Sequence, residues 1–248
     1  MAVIETSALT KRYGETAAVR ELDLSVERGT IYGFLGPNGA GKTTTMRTLT
    51  GLTRPSAGTA TVDGVDVRDR DELGGHIGYV PDEPPLYEKL TAREQLAAVA
   101  DVRGLDARVK RERVPALVDR FELDAADDRI ETYSKGMKQK TSVIQAVLHR
   151  PAVVFLDEPT GGLDPSAART MKELLVELRD GGTTVFLSTH VLPVVEELAD
   201  TVGLLHDGRL LAEDDPETLQ RRLAGDSLED AFLELTTDRA AADAAGGR

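Results

Sequence analysis

The feature that most constrains the fold of this chain is a glycine-rich stretch, GPNGAGKTT, at residues 36–44. It follows an apolar run, IYGFL, and precedes a segment, MRTLTGL, with helical character. A tight turn between a strand and a helix would explain one or two glycines, because glycine adopts backbone angles that other residues resist. It would not explain the spacing G-x-x-x-x-G-K-[ST], which places Lys42 and Thr43 at its end. The spacing therefore favours a phosphate-binding loop over a plain turn.

The residue types in this loop suit the phosphates of a nucleotide. Backbone N–H groups without side chains curl around a phosphate, and the following helix points its positive end at the same place. Lys42 can reach the β- and γ-phosphates, and the Thr43 hydroxyl can ligate Mg²⁺. The residues predicted to bind the cofactor here are Gly36, Pro37, Asn38, Gly39, Ala40, Gly41, Lys42, Thr43 and Thr44.

A second acidic element lies downstream, where the apolar run VVFL at residues 153–156 ends in Asp157 and Glu158. An ordinary buried strand with acids at its solvent end would give the same pattern. Ligands of open α/β sheets, however, bind at the carboxyl ends of the strands. There Asp157 can hold Mg²⁺, and Glu158 can polarise a water for attack on the γ-phosphate. Together with the loop, the pair favours a nucleoside triphosphatase.

Composition excludes several other classes of protein. The 248 residues are 40% hydrophobic, enough for a substantial core, and they include no Cys, which excludes disulfides and Cys-ligated metals. The net charge of −13 argues against general binding of nucleic acid, which requires basic surface. Apolar runs are much shorter than the roughly 18 residues of a membrane span. A soluble or peripheral protein is expected.

The order of predicted elements indicates an α/β fold with a mostly parallel sheet covered by helices. Residues 3–35 have strand character, with turns at residues 13–15 and 27–29. A proline-rich connector after Pro81 leads to a capping box at Thr91 and Glu94. From there to about Arg150 the pattern is helical, in segments at residues 91–103, 106–121 and 134–150. Further strands are predicted at residues 59–67, 76–80, 152–157 and 183–188, and further helices after Asp164, Val191, Asp215 and Ser227.

Three further stretches narrow the class. The sequence YSKGMKQ at residues 133–139 opens a helix, GLD at 162–164 follows the acidic pair, and STH at 188–190 ends a strand. With the loop and the acids, in this order and spacing, the chain resembles the nucleotide-binding subunit of ATP-binding cassette (ABC) transporters over about residues 3–235. The signature YSKGMKQK, Asp82 and the ending SLEDAFLEL look most like the stand-alone ATPases of ABC-2-type exporters.

The resemblance implies a P-loop NTPase core with a parallel sheet, an N-terminal antiparallel β subdomain and an inserted helical subdomain. It implies one ABC ATPase domain at residues 1–235, with its core at 1–81 and 150–225 and its helical subdomain at about 82–149. The tail, residues 236–248, is expected to be disordered.

The resemblance also implies a mechanism that uses ATP and Mg²⁺. Two subunits would pack head to tail, so that Ser134 and Gly136 of one copy cover the γ-phosphate bound by the other. Tyr13 resembles the aromatic residue that stacks on adenine, and Asp164 resembles the loop residue that couples the two sites. His190 resembles the γ-phosphate sensor that orients the base and the water. The implied catalytic residues are Lys42, Glu158 and His190.

Each of these residues has a plainer interpretation. Tyr13 could be a turn aromatic, Ser134 an ordinary N-cap, and Asp164 with Pro165 a common helix start. A single histidine at a strand end, such as His190, is more often structural than catalytic. The joint pattern favours the functional interpretation in each case.

Three positions depart from the family pattern. Most members carry Gln where this chain has Asp82, so the implied metal ligands are Thr43, Asp157 and Asp82, the last directly or through a water. In the signature, Lys135 replaces a glycine and Met137 replaces a glutamine, whereas Ser134 and Gly136 remain.

The resemblance implies a subunit that powers an exporter from the cytoplasmic face of the cell membrane, bound to a separate integral-membrane permease. The working pair would be a homodimer or two different ATPase subunits, and no nucleic acid partner is expected. Three alternatives stay open: a soluble ABC-type ATPase acting on ribosomes or nucleic acid, a regulatory module without catalysis, and an importer ATPase.

Overall fold

The structure is a computed structural model that describes residues 1–222. The helix predicted from Ser227 and the tail at residues 236–248 lie outside the described residues. The strands are β1 (Ala2–Tyr13), β2 (Thr16–Glu27), β3 (Ile31–Leu35), β4 (Ala57–Val62), β5 (Val65–Asp66), β6 (Ile77–Val80), β7 (Val153–Asp157), β8 (Thr184–Thr189), β9 (Thr201–His206) and β10 (Arg209–Asp214). The helices are α1 (Lys42–Leu49), α2 (Arg70–His76), α3 (Ala92–Val102), α4 (Ala107–Arg120), α5 (Lys135–Val147), α6 (Pro165–Asp180), α7 (Leu192–Leu198) and α8 (Pro216–Arg222).

The strands form two sheets. The first has four antiparallel strands in the order β2-β1-β4-β5, and the second has six strands in the order β10-β9-β3-β8-β7-β6. Strands β9, β3, β8, β7 and β6 of the second sheet run parallel, and β10 joins them as an antiparallel hairpin. The predicted fold class, with its parallel core, antiparallel β subdomain and helical insert, is confirmed.

Strand β3 belongs to the six-stranded sheet, which packs against helices on one face and against the antiparallel sheet and α1 on the other. All five of its residues are buried. Its Ile31 and Leu35 face the helices, whereas Tyr32 and Phe34 face the antiparallel sheet and α1. Tyr32 stacks on Phe186 of β8 with ring centroids 5.1 Å apart. Because successive side chains of a strand point to opposite faces, an unbroken apolar run suits a strand covered on both sides.

The parallel order brings several strand ends to one edge of the sheet. Leu35 is paired with Thr189, and Asp157 is paired with Ser188. The glycine-rich loop that follows β3, the acids that end β7 and the polar residues that end β8 therefore lie side by side. This is the sheet edge at which ligands of α/β proteins bind.

The local predictions are largely confirmed. Strands β1, β2 and β3 are separated at the two predicted turns, where Gly14 and Gly29 have φ of 58° and 72°. The capping box at Thr91 and Glu94 is present, with both hydrogen bonds made. Within residues 1–222, no helix combines the length and the apolarity that a bilayer crossing requires.

Helix α2 was absent from the sequence prediction. It has only seven residues and contains Gly74 and Gly75, which disfavour helices, so its pattern is weak. Its visible signal is Asp69, whose side chain accepts a hydrogen bond from the Glu72 amide at 3.2 Å and caps the helix. The predicted helical insert, with segments at residues 91–103, 106–121 and 134–150, corresponds to α3, α4 and α5, and a single 3-10 turn, Ile130–Thr132, lies between α4 and α5.

Helix α5 lies against the backbone of β6 at Gly78, where a methyl group would stand 2.3 Å from the Ala146 carbonyl oxygen. We expect Gly78→Ala to lower the free energy of unfolding by about 1–3 kcal/mol, since the backbone of α5 must move away. Gly74→Ala is the matched control, because no heavy atom lies within 4 Å of a methyl group there. That substitution should be neutral or stabilise by up to about 1 kcal/mol through helix propensity. Chemical denaturation measures both, and equal midpoints for the two variants would contradict the prediction.

Candidate nucleotide-binding site

The glycine-rich loop forms the entrance to α1. Gly41 occupies the N-cap position with φ 107°, and no side chain caps the helix, so the amides of its first turn stay open. A methyl group at Gly41 would stand 2.4 Å from the Ala18 carbonyl oxygen of β2, and only glycine satisfies both constraints. The Lys42 ammonium lies inside the loop, where it donates to the Gly36 carbonyl at 2.6 Å and to the Pro37 carbonyl at 3.3 Å.

The loop borders a cavity of about 240 Å³. Seven predicted cofactor-binding residues line it, namely Pro37, Asn38, Gly39, Gly41, Lys42, Thr43 and Thr44. Three acidic residues, Asp82, Asp157 and Glu158, line the same cavity. Gly36 and Ala40 also belong to the loop, but they are buried and do not line the cavity.

Asp157 is held from two sides. One carboxylate oxygen accepts a hydrogen bond from the Thr43 hydroxyl at 2.8 Å, and the other accepts from the Ser188 hydroxyl. Only 4% of Asp157 is exposed, so these hydrogen bonds take the place of most of the water that would contact the carboxylate. The hydroxyl and the carboxylate that the sequence assigned to one metal ion are therefore direct neighbours.

Glu158 follows in a backbone conformation that is rare for a residue with a side chain, with φ 50°. Its amide donates to the Ser188 carbonyl at 2.9 Å. Its carboxylate accepts from the Thr189 hydroxyl at 2.9 Å and lies 2.9 Å from Nδ1 of His190. Strained backbone of this kind persists where surrounding contacts enforce it, and it is concentrated at functional sites. Here Glu158 lines the same cavity as Asp157, but its carboxylate contacts Thr189 and His190.

The electrostatics of the site centre on Lys42. Burial lowers the pKa of Lys42, and the negative charges of Glu158 and Asp157 offset only part of that effect. The Lys42 ammonium lies 3.9 Å from the Glu158 carboxylate, and 7% of its side chain is exposed. A largely desolvated cation beside open helix amides is suited to receive the negative charge of a phosphate.

The structure leaves four predicted site residues away from this cavity. Tyr13 ends β1 with half of its surface exposed, and the Lys11 ammonium lies 4.8 Å from its ring centroid. Ser134 caps α5 by accepting from the Met137 amide at 3.2 Å. Asp164 caps α6 by accepting from two amides at 3.0 and 3.1 Å. A methyl group at Gly136 would lie 3.0 Å from Cβ of Ala167, so α5 and α6 begin side by side.

Sequence reasoning noted the stretch STH at residues 188–190 but gave no role to its first two residues. Ser188 and Thr189 place one hydroxyl on each of the two adjacent carboxylates, Asp157 and Glu158. The available signal was the parallel pairing of their strands, because neighbouring parallel strands end at the same edge. When a strand that ends in Ser-Thr lies beside one that ends in Asp-Glu, the two hydroxyls can donate hydrogen bonds to the two carboxylates.

Comparison with known proteins agrees with this geometry. The profile of the ABC transporter family matches residues 19–161. The bacitracin transport ATP-binding protein BcrA of Bacillus licheniformis is 38% identical over 223 residues, covering 89% of this chain and 72% of BcrA. The daunorubicin/doxorubicin resistance ATP-binding protein DrrA of Streptomyces peucetius is 40% identical over 227 residues, covering 91% and 69%.

Solved structures give the same assignment. The ATP-binding subunit of an ABC transporter superposes with a TM-score of 0.85 at 33% identity, covering 94% of this chain and 99% of that one. A dimeric ATP-binding cassette bound to ADP and Pi superposes with a TM-score of 0.77 at 25% identity, covering 86% and 98%. The family profile covers more than half of the chain, and the relatives align over most of it. The chain therefore belongs to the ATP-binding subunits of ABC transporters, a family of ATPases.

Proposed function

We propose that this chain hydrolyses ATP at the cavity beside Lys42 and thereby drives export through a separate membrane permease. The observation that carries the proposal is the convergence of the glycine-rich loop, Asp157 and Glu158 on one cavity. In this proposal residues 1–235 act as one ATPase domain, with its core at 1–81 and 150–225 and its helical subdomain at about 82–149.

The loop and the first turn of α1 would bind the phosphates, with Lys42 on the β- and γ-phosphates. The residues that would hold Mg²⁺ are Thr43, Asp157 and Asp82, whose hydroxyl and carboxylate oxygens are the hard ligands that this ion prefers. They fit the ion because all three line the same cavity. When bound, Mg²⁺ neutralises charge that develops on the phosphates.

Glu158 would act as the general base. Its carboxylate lies at the cavity, where it can take a proton from a water that attacks the γ-phosphate. His190, at 2.9 Å, would orient that carboxylate and contact the γ-phosphate. Lys42 would remain charged beside the transferred group and stabilise it.

The active unit would contain two copies or two related ATPases packed head to tail. Ser134, Gly136 and the start of α5 would contact the γ-phosphate of the opposite site, Asp164 would couple the two sites, and Tyr13 would stack on adenine. The side-by-side starts of α5 and α6 and the dimeric relative support this arrangement. ATP would close the pair, and hydrolysis would reopen it.

The permease would be an integral-membrane protein of the ABC-2 type, and this subunit would lie peripherally on the cytoplasmic face of the membrane. Two relatives are named for bacitracin transport and for daunorubicin resistance, which supports export of small molecules. Residues 82–87 would form part of the docking surface, since Tyr87 is 72% exposed there. The net charge of −13 supports the absence of a nucleic acid partner.

Extraction of the Glu158→Gln variant from native membranes in mild detergent with Mg-ATP tests the proposed partner. We expect a stoichiometric protein with several membrane spans to co-purify. The same extraction without nucleotide is the control for ATP-dependent association. Ribosomes or nucleic acid in place of the membrane protein would overturn the export proposal in favour of a soluble ATPase.

Glu158→Gln should also retain ATP binding while hydrolysis falls by about 100-fold or more, because the amide cannot accept the proton. Phosphate release measures turnover, and equilibrium binding of a fluorescent ATP analogue measures affinity. Lys42→Ala, which removes the cation of the loop, should lose binding as well. Near-normal turnover of Glu158→Gln would show that the base is another residue.

Asp82→Ala should raise the Mg²⁺ concentration needed for half-maximal hydrolysis by about 10-fold, because one carboxylate ligand is lost. Glu83→Ala is the matched control, since it removes the same charge from the neighbouring position without lining the cavity. Titration of hydrolysis with Mg²⁺ distinguishes the two. An unchanged Mg²⁺ dependence and turnover in Asp82→Ala would exclude the metal role.

A further inference from the structure

We infer that Thr189 is a positioning residue for the reaction, whose hydroxyl fixes the Glu158 carboxylate and thereby sets the turnover number. The inference rests on the proposed role of Glu158 as the general base. Among the partners that residues 1–222 offer to that carboxylate, it concerns the one that is wholly enclosed by protein, at the carboxyl end of β8.

The direction of the Thr189 hydroxyl proton follows from its two partners. The oxygen accepts a hydrogen bond from the Val191 amide at 3.0 Å and lies 2.9 Å from Oε2 of Glu158. A hydroxyl has a single proton, and an amide N–H can only donate. The proton of Thr189 is therefore directed at the Glu158 carboxylate, and a hydrogen bond to a charged acceptor is stronger than a neutral one.

Thr189 is better placed to hold this carboxylate than its other two partners. None of the surface of Thr189 is exposed, whereas half of the His190 side chain is exposed. The Lys42 ammonium lies 3.9 Å from the Glu158 carboxylate, farther than the Thr189 hydroxyl at 2.9 Å. The backbone of Thr189 is fixed by pairing with Leu35 of β3. In the proposed mechanism Lys42 and His190 also contact the phosphates, whereas the hydroxyl proton of the fully buried Thr189 is directed at Glu158 alone.

A base held in this way acts from a defined position. The strained backbone of Glu158 aims its side chain at the cavity, but the torsions of that side chain stay free unless a partner holds its end. Loss of such a contact displaces the carboxylate from the water that it must deprotonate. Misplacement of a reacting group by about 1 Å can reduce the rate by about 100-fold.

Strand β8 also supplies a matched control at its other end. Thr184 is fully buried like Thr189, and its hydroxyl accepts a hydrogen bond from the Gly29 amide at 2.9 Å, far along the strand from the cavity. Thr189→Val and Thr184→Val both replace a buried hydroxyl with a methyl group of similar size. Only the first removes a donor to Glu158.

The test is steady-state ATP hydrolysis and ATP affinity of the full chain. Thr189→Val should lower kcat by about 10- to 100-fold with the Kd for ATP changed less than about 3-fold. Thr189→Ser, which restores the hydroxyl, should recover most of kcat. Thr184→Val should keep kcat and lower only the midpoint of thermal unfolding. A Thr189→Val variant with normal kcat, or a serine variant as slow as the valine one, would overturn the inference.

A double-mutant cycle covers the case in which valine at this position also perturbs the fold. In a Glu158→Ala background there is no carboxylate to position, so adding Thr189→Val should leave the residual single-turnover rate unchanged within about 2-fold. If Thr189→Val slowed the Glu158→Ala variant by the same factor as the wild type, Thr189 would act independently of Glu158. That result would refute the inference about Thr189 and leave the proposed base untouched. Near-normal turnover of Glu158→Ala itself would instead refute the proposed base.

Discussion

The pairing of β7 with β8 is the interaction on which the site depends. Its register sets Asp157 opposite Ser188, so that the ends of the two strands carry carboxylates and hydroxyls in the same order. A shift by one residue would send each side chain to the opposite face of the sheet. The rare backbone conformation of Glu158 is sustained by the same pairing, because its amide donates to the Ser188 carbonyl. Strand register is thus a chemical constraint here as well as a structural one.

The central strand β3 links this edge to the stability of the whole molecule. It is buried on both faces and pairs with β8 on one side and β9 on the other. The glycine-rich loop begins where it ends, and the loop is pressed against β2 at Gly41 and against β9 at Gly36, where a methyl group would stand 2.3 Å from the Leu205 carbonyl oxygen. The loop is therefore fixed by backbone contacts from both sheets, and its glycines are needed for packing as well as for phosphate.

The sequence predicted the α/β class, most elements and the residues around the cavity, because these depend on local patterns. The spacing from Gly36 to Thr43 and the acids after an apolar run each carry their own chemical signal. The contributions of Ser188 and Thr189 depend on which strands are neighbours. Strand β8 lies between β3 and β7 in space, although 26 residues separate it from β7 in sequence and many more separate it from β3. Helix α2 was not predicted because its local sequence disfavours a helix, with two glycines of poor helix propensity. In the folded chain the burial of Leu73 outweighs that local preference.

Lys42 shows how the same contacts prepare the loop for a ligand. Its ammonium donates to two carbonyls of its own loop, those of Gly36 and Pro37. Burial lowers the pKa of Lys42, and the charges of Glu158 and Asp157 offset only part of that effect. A phosphate would offer full negative charge to the same donors, and charge-assisted hydrogen bonds are roughly twice as strong as neutral ones. Binding would therefore replace the hydrogen bonds from the Lys42 ammonium to the loop carbonyls with stronger ones to the phosphate, and the lysine would stay ordered. The two carbonyls fix the position of the ammonium before a ligand binds, so binding costs little conformational entropy at Lys42.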